Sequence, residues 1–262
     1  MKILIAGDTH GSVPAIKRIS EMALKTGARE VWQCGDFGYW PRLNYGMDFI
    51  LSTKYLPVPL FFADGNHEDH SRLDHDADEP YKVAVNTYYV PRGHTRTIPV
   101  RLCDCEEGAE CGDGCSVVQR RIMFFGGARS VDRTWRTEGW TWFHSELPTT
   151  RQFERAYLEA ERGVDVVIAH DSPASVDYGY PPAHLSGWPV EDIEIGENFR
   201  QRLQSFVDIA KPTYWFNGHH HQRKVVRSNE TTIWSLGEST QNTENWIVLL
   251  DLRDMTVENV YY

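Results

Sequence analysis

No stretch of this sequence approaches the ~20 consecutive apolar residues that a membrane-spanning helix needs. The short apolar run in MKILIAGDTHGS carries one lysine and breaks at Asp8 and His10. It lacks the longer apolar region and small-residue cleavage site of a secretory signal, and reads instead as a buried first strand starting at Lys2. A cytoplasmic location is therefore expected, with no membrane partner. Basic residues are also in deficit, 27 Lys and Arg against 37 Asp and Glu, for a formal charge of −10. Such a chain repels a nucleic-acid backbone, which counts against stable binding to duplex DNA but not against small anions held in a cationic metal site. Cysteines are few and odd in number, five in all, which argues against a disulfide framework. Cys103, Cys105, Cys111 and Cys115 share one acidic segment at about 101–117, which reads as an insertion. Its spacing lacks the paired CxxC knuckles of common zinc modules, so structural zinc and free or oxidation-prone thiols both remain open. No linker, repeat or low-complexity tract divides the chain, so residues 1–262 are expected to form one domain.

What is present is a repeated pattern of apolar strand, polar tip and helix. KILIAGDTH is a strand ending at Asp8 and His10, and Ser12 then caps a helix to about Lys25, with Gly27 past its end. EVWQCGDFG and PLFFADGNHED are further strands, ending at Asp36 and at Asn66 with His67, with a helix over NYGMDFILSTKYL between them. Strands alternating with helices predict an α/β fold with parallel pairing. TYYVPRG, HTRTIPVRL and RIMFFGGA read as strands of a second sheet or its edge. A helix over TTRQFERAYLEAERG precedes VDVVIAHDSP, which ends at His170. Residues 197–209 are helical in pattern, TYWFNGHHH is a strand ending in histidines, and the tail reads as β-hairpins.

Five strand ends thus carry metal-type donors: Asp8 with His10, Asp36, Asn66 with His67, His170, and His219 with His221. Functional groups of open α/β sheets collect at the carboxyl ends of strands, so these tips can converge. Imidazole nitrogen with carboxylate oxygen suits Mn, Fe, Zn or Co better than Ca or Mg. If the tips are extended, alternation turns Asp8 and His10 to one side, and His219 and His221 likewise, leaving His220 facing elsewhere.

The ordered series D-x-H, G-D, G-N-H-E, H and G-H-x-H, from Asp8 to His221, resembles the calcineurin-like metallophosphoesterase superfamily. The resemblance implies a four-layer α/β/β/α sandwich with two mixed sheets. It implies two divalent cations, with Mn2+ expected and Fe, Zn, Co or Ni as alternatives. Asp8, His10, Asp36 and His221 would bind one. Asp36, Asn66, His170 and His219 would bind the other, with Asp36 bridging and also serving catalysis through a shared hydroxide. His67 would be the non-ligand that protonates the leaving alkoxide.

Protein phosphatases of that superfamily carry arginines in G-D-x-x-D-R-G and R-G-N-H-E, whereas this chain has GDFGYWP and ADGNHED, with Asp64 in an arginine's place. Losing a bidentate clamp hurts a doubly charged monoester more than a singly charged diester. The whole pattern looks like bacterial and phage-type diesterases. A small phosphate-ester substrate is expected, a nucleotide such as a 2′,3′-cyclic one. A phosphomonoesterase clamped by Arg129 or Arg133, or a non-catalytic scaffold, are the competing readings. Tyr39 and Trp40 read as core aromatics rather than base-stacking ones, and His70 and His75 as part of a solvated acidic loop.

Overall fold

The computed structural model describes residues 1–103, 116–240 and 245–261. The elements run β1 (Lys2–Ala6), α1 (Val13–Thr26), β2 (Glu30–Gln33), α2 (Asn44–Ser52), β3 (Leu60–Phe62), β4 (Tyr81–Ala84), β5 (Thr87–Tyr89), β6 (His94–Arg101) and β7 (Val117–Phe125). They continue with α3 (Thr150–Glu161), β8 (Val166–Ala169), α4 (Val190–Ala210), β9 (Tyr214–Asn217), β10 (Lys224–Ser228), β11 (Thr231–Ser235), β12 (Ile247–Asp251) and β13 (Thr256–Asn259). Among the described residues no helix is long and apolar enough to cross a membrane.

Local sequence sets the helix ends. The Ser12 hydroxyl accepts the Ala15 N–H, Pro14 sits in the first turn of α1, and Gly27 takes the left-handed conformation that closes it. Thr149 and Gln152 form a capping box at the start of α3. The helix expected over 197–209 begins earlier, at Val190, with Glu191 and Asp192 in its first turn.

The strands form two mixed sheets. The first has order β13-β12-β1-β2-β3-β5-β4, and the second β10-β11-β9-β8-β7-β6. β1, β2, β3 and β5 pair in parallel, while β12 returns antiparallel beside β1. Strand alternation then builds three cores. Leu4 and Ala6 face α1 and α2, whereas Ile3 and Ile5 face the second sheet. On that sheet Ile122, Phe124, Val166 and Ile168 face inward, and Met123, Phe125, Val167 and Ala169 pack against α3 and α4. Strands covered on both faces must be apolar throughout, as KILIA, VVIA and IVLLD are. This is the four-layer α/β/β/α sandwich expected.

Three details differ from expectation. TYYVPRG supplies β5 of the first sheet, not a strand of the second, and it is preceded by β4, whose four residues carry too little alternation to be read. The acidic cysteine segment largely lies outside the described residues, so the zinc and free-thiol alternatives for Cys105, Cys111 and Cys115 fall there. Cys103 is disulfide-bonded, contrary to the zinc alternative for that residue and in keeping with an oxidation-prone thiol.

His70 and His75 do not lie in a solvated loop; both are buried with Asp64. Asp64 accepts two bonds from Arg92, at 2.9 and 2.5 Å, and one from the Tyr89 hydroxyl at 2.8 Å. His75 Nδ1 meets the same hydroxyl at 2.7 Å, and its Nε2 meets His70 Nδ1 at 3.1 Å. Burial would raise the Asp64 carboxyl; Arg92, with His75 and His70, outweighs it and holds the group well below the usual carboxylate range. Asp64, His70 and His75 are close enough to hold a cation, but Arg92 already neutralises the only carboxylate of the three.

Removing one partner of such a buried pair leaves an uncompensated charge. Arg92→Met is expected to cost about 3–5 kcal/mol in urea unfolding near neutral pH. Because the folded Asp64 is depressed, its contribution is present above about pH 4 and lost on acidification, so the gap between the two proteins should narrow in acid. An unchanged urea midpoint would contradict the pairing.

Candidate metal centre

The tips of β1, β2, β8 and β9 and the turn after β3 meet at one edge of the two sheets. Asp8, His10, Asp36 and His221 each offer a donor atom, and these atoms lie within 4.8 Å of one another. His221 Nε2 stands 3.0 Å from Asp8 Oδ2, His10 Nε2 3.0 Å from His221 Nε2, and His10 Nδ1 3.8 Å from Asp36 Oδ2. On the other side of Asp36, His170 Nε2 lies 3.4 Å from Asp36 Oδ1 and 3.0 Å from Asn66 Oδ1. The His219 ring packs on that of His170 at 4.9 Å. Asp36 therefore stands between Asp8, His10 and His221 on one side and His170 with Asn66 on the other, whereas the His219 donor is grouped with those of Asp171 and His220, within 4.8 Å of one another.

Surrounding contacts aim these donors. The Cys34 carbonyl accepts from His170 Nδ1 at 2.9 Å, which turns Nε2 toward Asp36 and Asn66. Asn66 Nδ2 donates to Ser130 Oγ at 3.0 Å, and Ser130 in turn donates to Glu146 at 2.5 Å, so the amide oxygen of Asn66 faces His170. Glu68 of the GNHE motif accepts the backbone N–H groups of Phe37, Gly38 and Tyr39, pinning the turn that presents Asp36. The His67 N–H donates to Asp36 Oδ1 at 2.7 Å.

The tips are not extended. His10, Asp36, His219 and His221 all have φ between 46° and 66°, a left-handed conformation that costs a non-glycine residue of order 1 kcal/mol or more. Convergence comes from this local twist rather than from strand alternation. His220 nonetheless faces elsewhere, its Nε2 meeting Asp171 at 3.0 Å while its ring stacks on Tyr178.

Electrostatically the centre calls for positive charge. Asp8 and Asp36 are almost fully buried, and Glu238 lies 3.7 Å from both His10 and His221. Burial would lower His170, but Asp36 and Asp8 overcome it and raise the ring to about 10. Burial would raise Asp36, but His170, His67 and His10 hold it well below its usual range. Buried carboxylates that draw protons onto neighbouring imidazoles form a donor set suited to divalent cations.

Two residues were missed in the sequence. Glu238 follows β11 in the same strand-then-acid pattern as the other tips, which was the available signal. Arg136 carried none. Its Nη2 lies against both ring nitrogens of His67, at 3.0 Å from Nδ1, and Asp132 holds the guanidinium at 2.8 and 2.9 Å. Arg129 and Arg133, the arginines expected to clamp a phosphate, are instead engaged by Asp192. Burial lowers His67 and Arg136 lowers it further, against the opposing pull of Asp36. Trp40 is buried, with its indole N–H on the His67 carbonyl, and Tyr39 packs on the first core, so neither is a base-stacking surface.

A family model described as calcineurin-like phosphoesterase matches residues 1–223. The lariat debranching enzyme of Homo sapiens is 23% identical over 263 residues, covering 84% of this chain and 42% of that protein; the chain thus spans less than half the length of this relative. TT1561 of Thermus thermophilus superposes with a TM-score of 0.57 at 12% identity, covering 98% of this chain and 96% of that one. GAP50, the anchor in the inner membrane complex of Plasmodium, does so with a TM-score of 0.51 at 13% identity, covering 100% and 87%. At such identities the likeness concerns the fold.

The crowding at these tips is measurable. A Cβ on Gly218 would stand 1.8 Å from Asp8 Oδ1, whereas one on Gly187, an exposed position at φ 81°, would meet nothing within 4 Å. Gly218→Ala is expected to cost about 1–3 kcal/mol in thermal unfolding through overpacking alone, and more than Gly187→Ala, which pays only for its backbone angle. Equal effects would contradict the close approach.

Proposed function

The chain belongs to the calcineurin-like phosphoesterase family, and we propose that it is a metal-dependent phosphodiesterase acting on small nucleotide esters. The observation that carries this reading is Asp36, buried between the Asp8, His10, His221 group and the Asn66–His170 pair. Asp8, His10, Asp36 and His221 would hold one divalent ion. Asp36, Asn66, His170 and His219 would hold the other, with Mn2+ the expected pair. Such ions supply Lewis acidity toward phosphate oxygens and a water acidic enough to ionise near neutral pH.

The remaining work falls to the chain's own residues. Asn66 contributes a donor without adding negative charge that would repel phosphate. His170 is turned by the Cys34 carbonyl so that Nε2, not Nδ1, serves the centre. His67 is not among the donors and stands beside Asp36; to protonate the departing alkoxide it must carry a proton that burial and Arg136 disfavour and that Asp36 and the negative charge of a bound ester favour. Arg136 orients its ring.

Preference for diesters is supported by where the arginines go. Asp64 occupies a clamp position and is itself bound by Arg92 in the core, while Arg129 and Arg133 are spent on Asp192. Arg136 stands at the centre but is itself paired with Asp132, so these positions offer a doubly charged monoester no uncommitted clamp.

Metal-loaded protein is expected to cleave bis(4-nitrophenyl) phosphate faster than a matched monoester and to carry a stoichiometric pair of ions. Turnover no faster than buffer, or a protein that retains no divalent ion, would overturn the reading. Asp36→Asn should lower the occupancy of both ions together, measured by elemental analysis. His67→Ala should slow esters of alkyl alcohols about 10²–10⁴-fold while sparing nitrophenyl esters, whose leaving group needs little protonation. Equal losses on both would assign His67 a structural role.

A further inference from the structure

The loop between β8 and α4 encloses a cavity of about 670 Å3 that includes His219 and His220 in its lining. This volume lies within the roughly 300–1,000 Å3 of ordinary small-molecule sites. Its walls include Tyr178, Tyr180 and Trp188, with Val176 and Ile193 beside them. The aromatic rings form a cluster. His220 stacks on Tyr178 at 3.8 Å, Tyr180 lies 5.7 Å from both, and the Tyr180 hydroxyl meets His220 Nδ1 at 3.3 Å. Trp188 is 37% exposed and packs at 4.9 Å on Trp135, itself 76% exposed. Exposed aromatic area of this kind gains free energy when a planar ligand covers it.

Charge narrows the occupant. Asp171, Asp177, Asp192 and Glu197 line the cavity together with Arg129 and Arg200. Arg129 is bound to Asp192 at 2.6 Å and Arg200 to Glu197 at 3.0 Å, so both cations are already committed. A second phosphate or a lengthening polyanion therefore finds no uncommitted cation here, while a neutral planar ring finds stacking faces. Resting on the phosphoesterase reading above, we propose that this cavity seats the nucleobase of a nucleotide whose phosphate lies at the neighbouring centre, with Tyr180 and Trp188 stacking on the base. His219 belongs to both regions and joins them.

Calorimetric binding of AMP and ribose 5-phosphate to the Mn-loaded protein isolates the base, since the two ligands share the sugar and phosphate. AMP is expected to bind about tenfold more tightly or better, the usual range for one stacked base. Trp188→Ala, and Ile193→Trp, which fills the cavity, should each bring AMP to within about twofold of ribose 5-phosphate, and both should leave turnover of methyl 4-nitrophenyl phosphate within about twofold of the parent. Equal binding of the two ligands by the parent, failure of AMP to bind, or discrimination that survives both substitutions would overturn the proposal. Absence of methyl 4-nitrophenyl phosphate turnover would instead strike the phosphodiesterase reading, and the calorimetric comparison would still decide the cavity.

Discussion

Two carboxylates, Asp8 and Asp36, are buried side by side where the two sheets meet, and their neighbours are imidazoles rather than lysine or arginine. Burying charge without a permanent counterion is costly, and the protein meets the cost with protons or cations on the surrounding histidines and oxygens. Much else follows from this constraint. The His67 N–H and the turn pinned by Glu68 fix Asp36, and the His219 N–H fixes Asp8 at 3.0 and 3.2 Å. Left-handed backbone at His10, Asp36, His219 and His221 is tolerated because these contacts over-determine each tip.

The fold was legible because strands covered on both faces leave a plain mark. KILIA, VVIA and IVLLD are apolar without alternation, and each is followed by polar tips or a turn. The helix ends at Ser12 and Gly27 were equally open, since capping is a local matter. β4 was not, because its four residues owe their pairing to β5 rather than to any pattern of their own. The same reason hid the sheet to which β5 belongs.

The candidate donor residues could be named from their order along the chain, but their surroundings could not. Extended alternation would have given Asp8 and His10 a common side; in fact left-handed turns bring the donors together, a property of tertiary packing that spacing does not carry. Arg136 illustrates the limit. Nothing near TWRTEG marks it as a neighbour of His67, and Arg129 and Arg133 looked equally eligible until Asp192 was found to hold both. Asp64 likewise departed from the family's motif, and its reason lies in Arg92, distant in sequence and adjacent only in the core.

β6 and β7 form a long antiparallel hairpin whose strands are joined at Arg101 and Val117. β7 runs parallel to β8, whose carboxyl end leads to His170, so the Arg101 and Val117 end of the pair lies at the opposite end of the sheet. Nine residues of strand separate the two ends, roughly 30 Å. Arg101 and Val117, the paired residues that flank the cysteine segment in sequence, thus stand at the pole of the sheet remote from the donors, so the strand pair transmits no direct contact between the two.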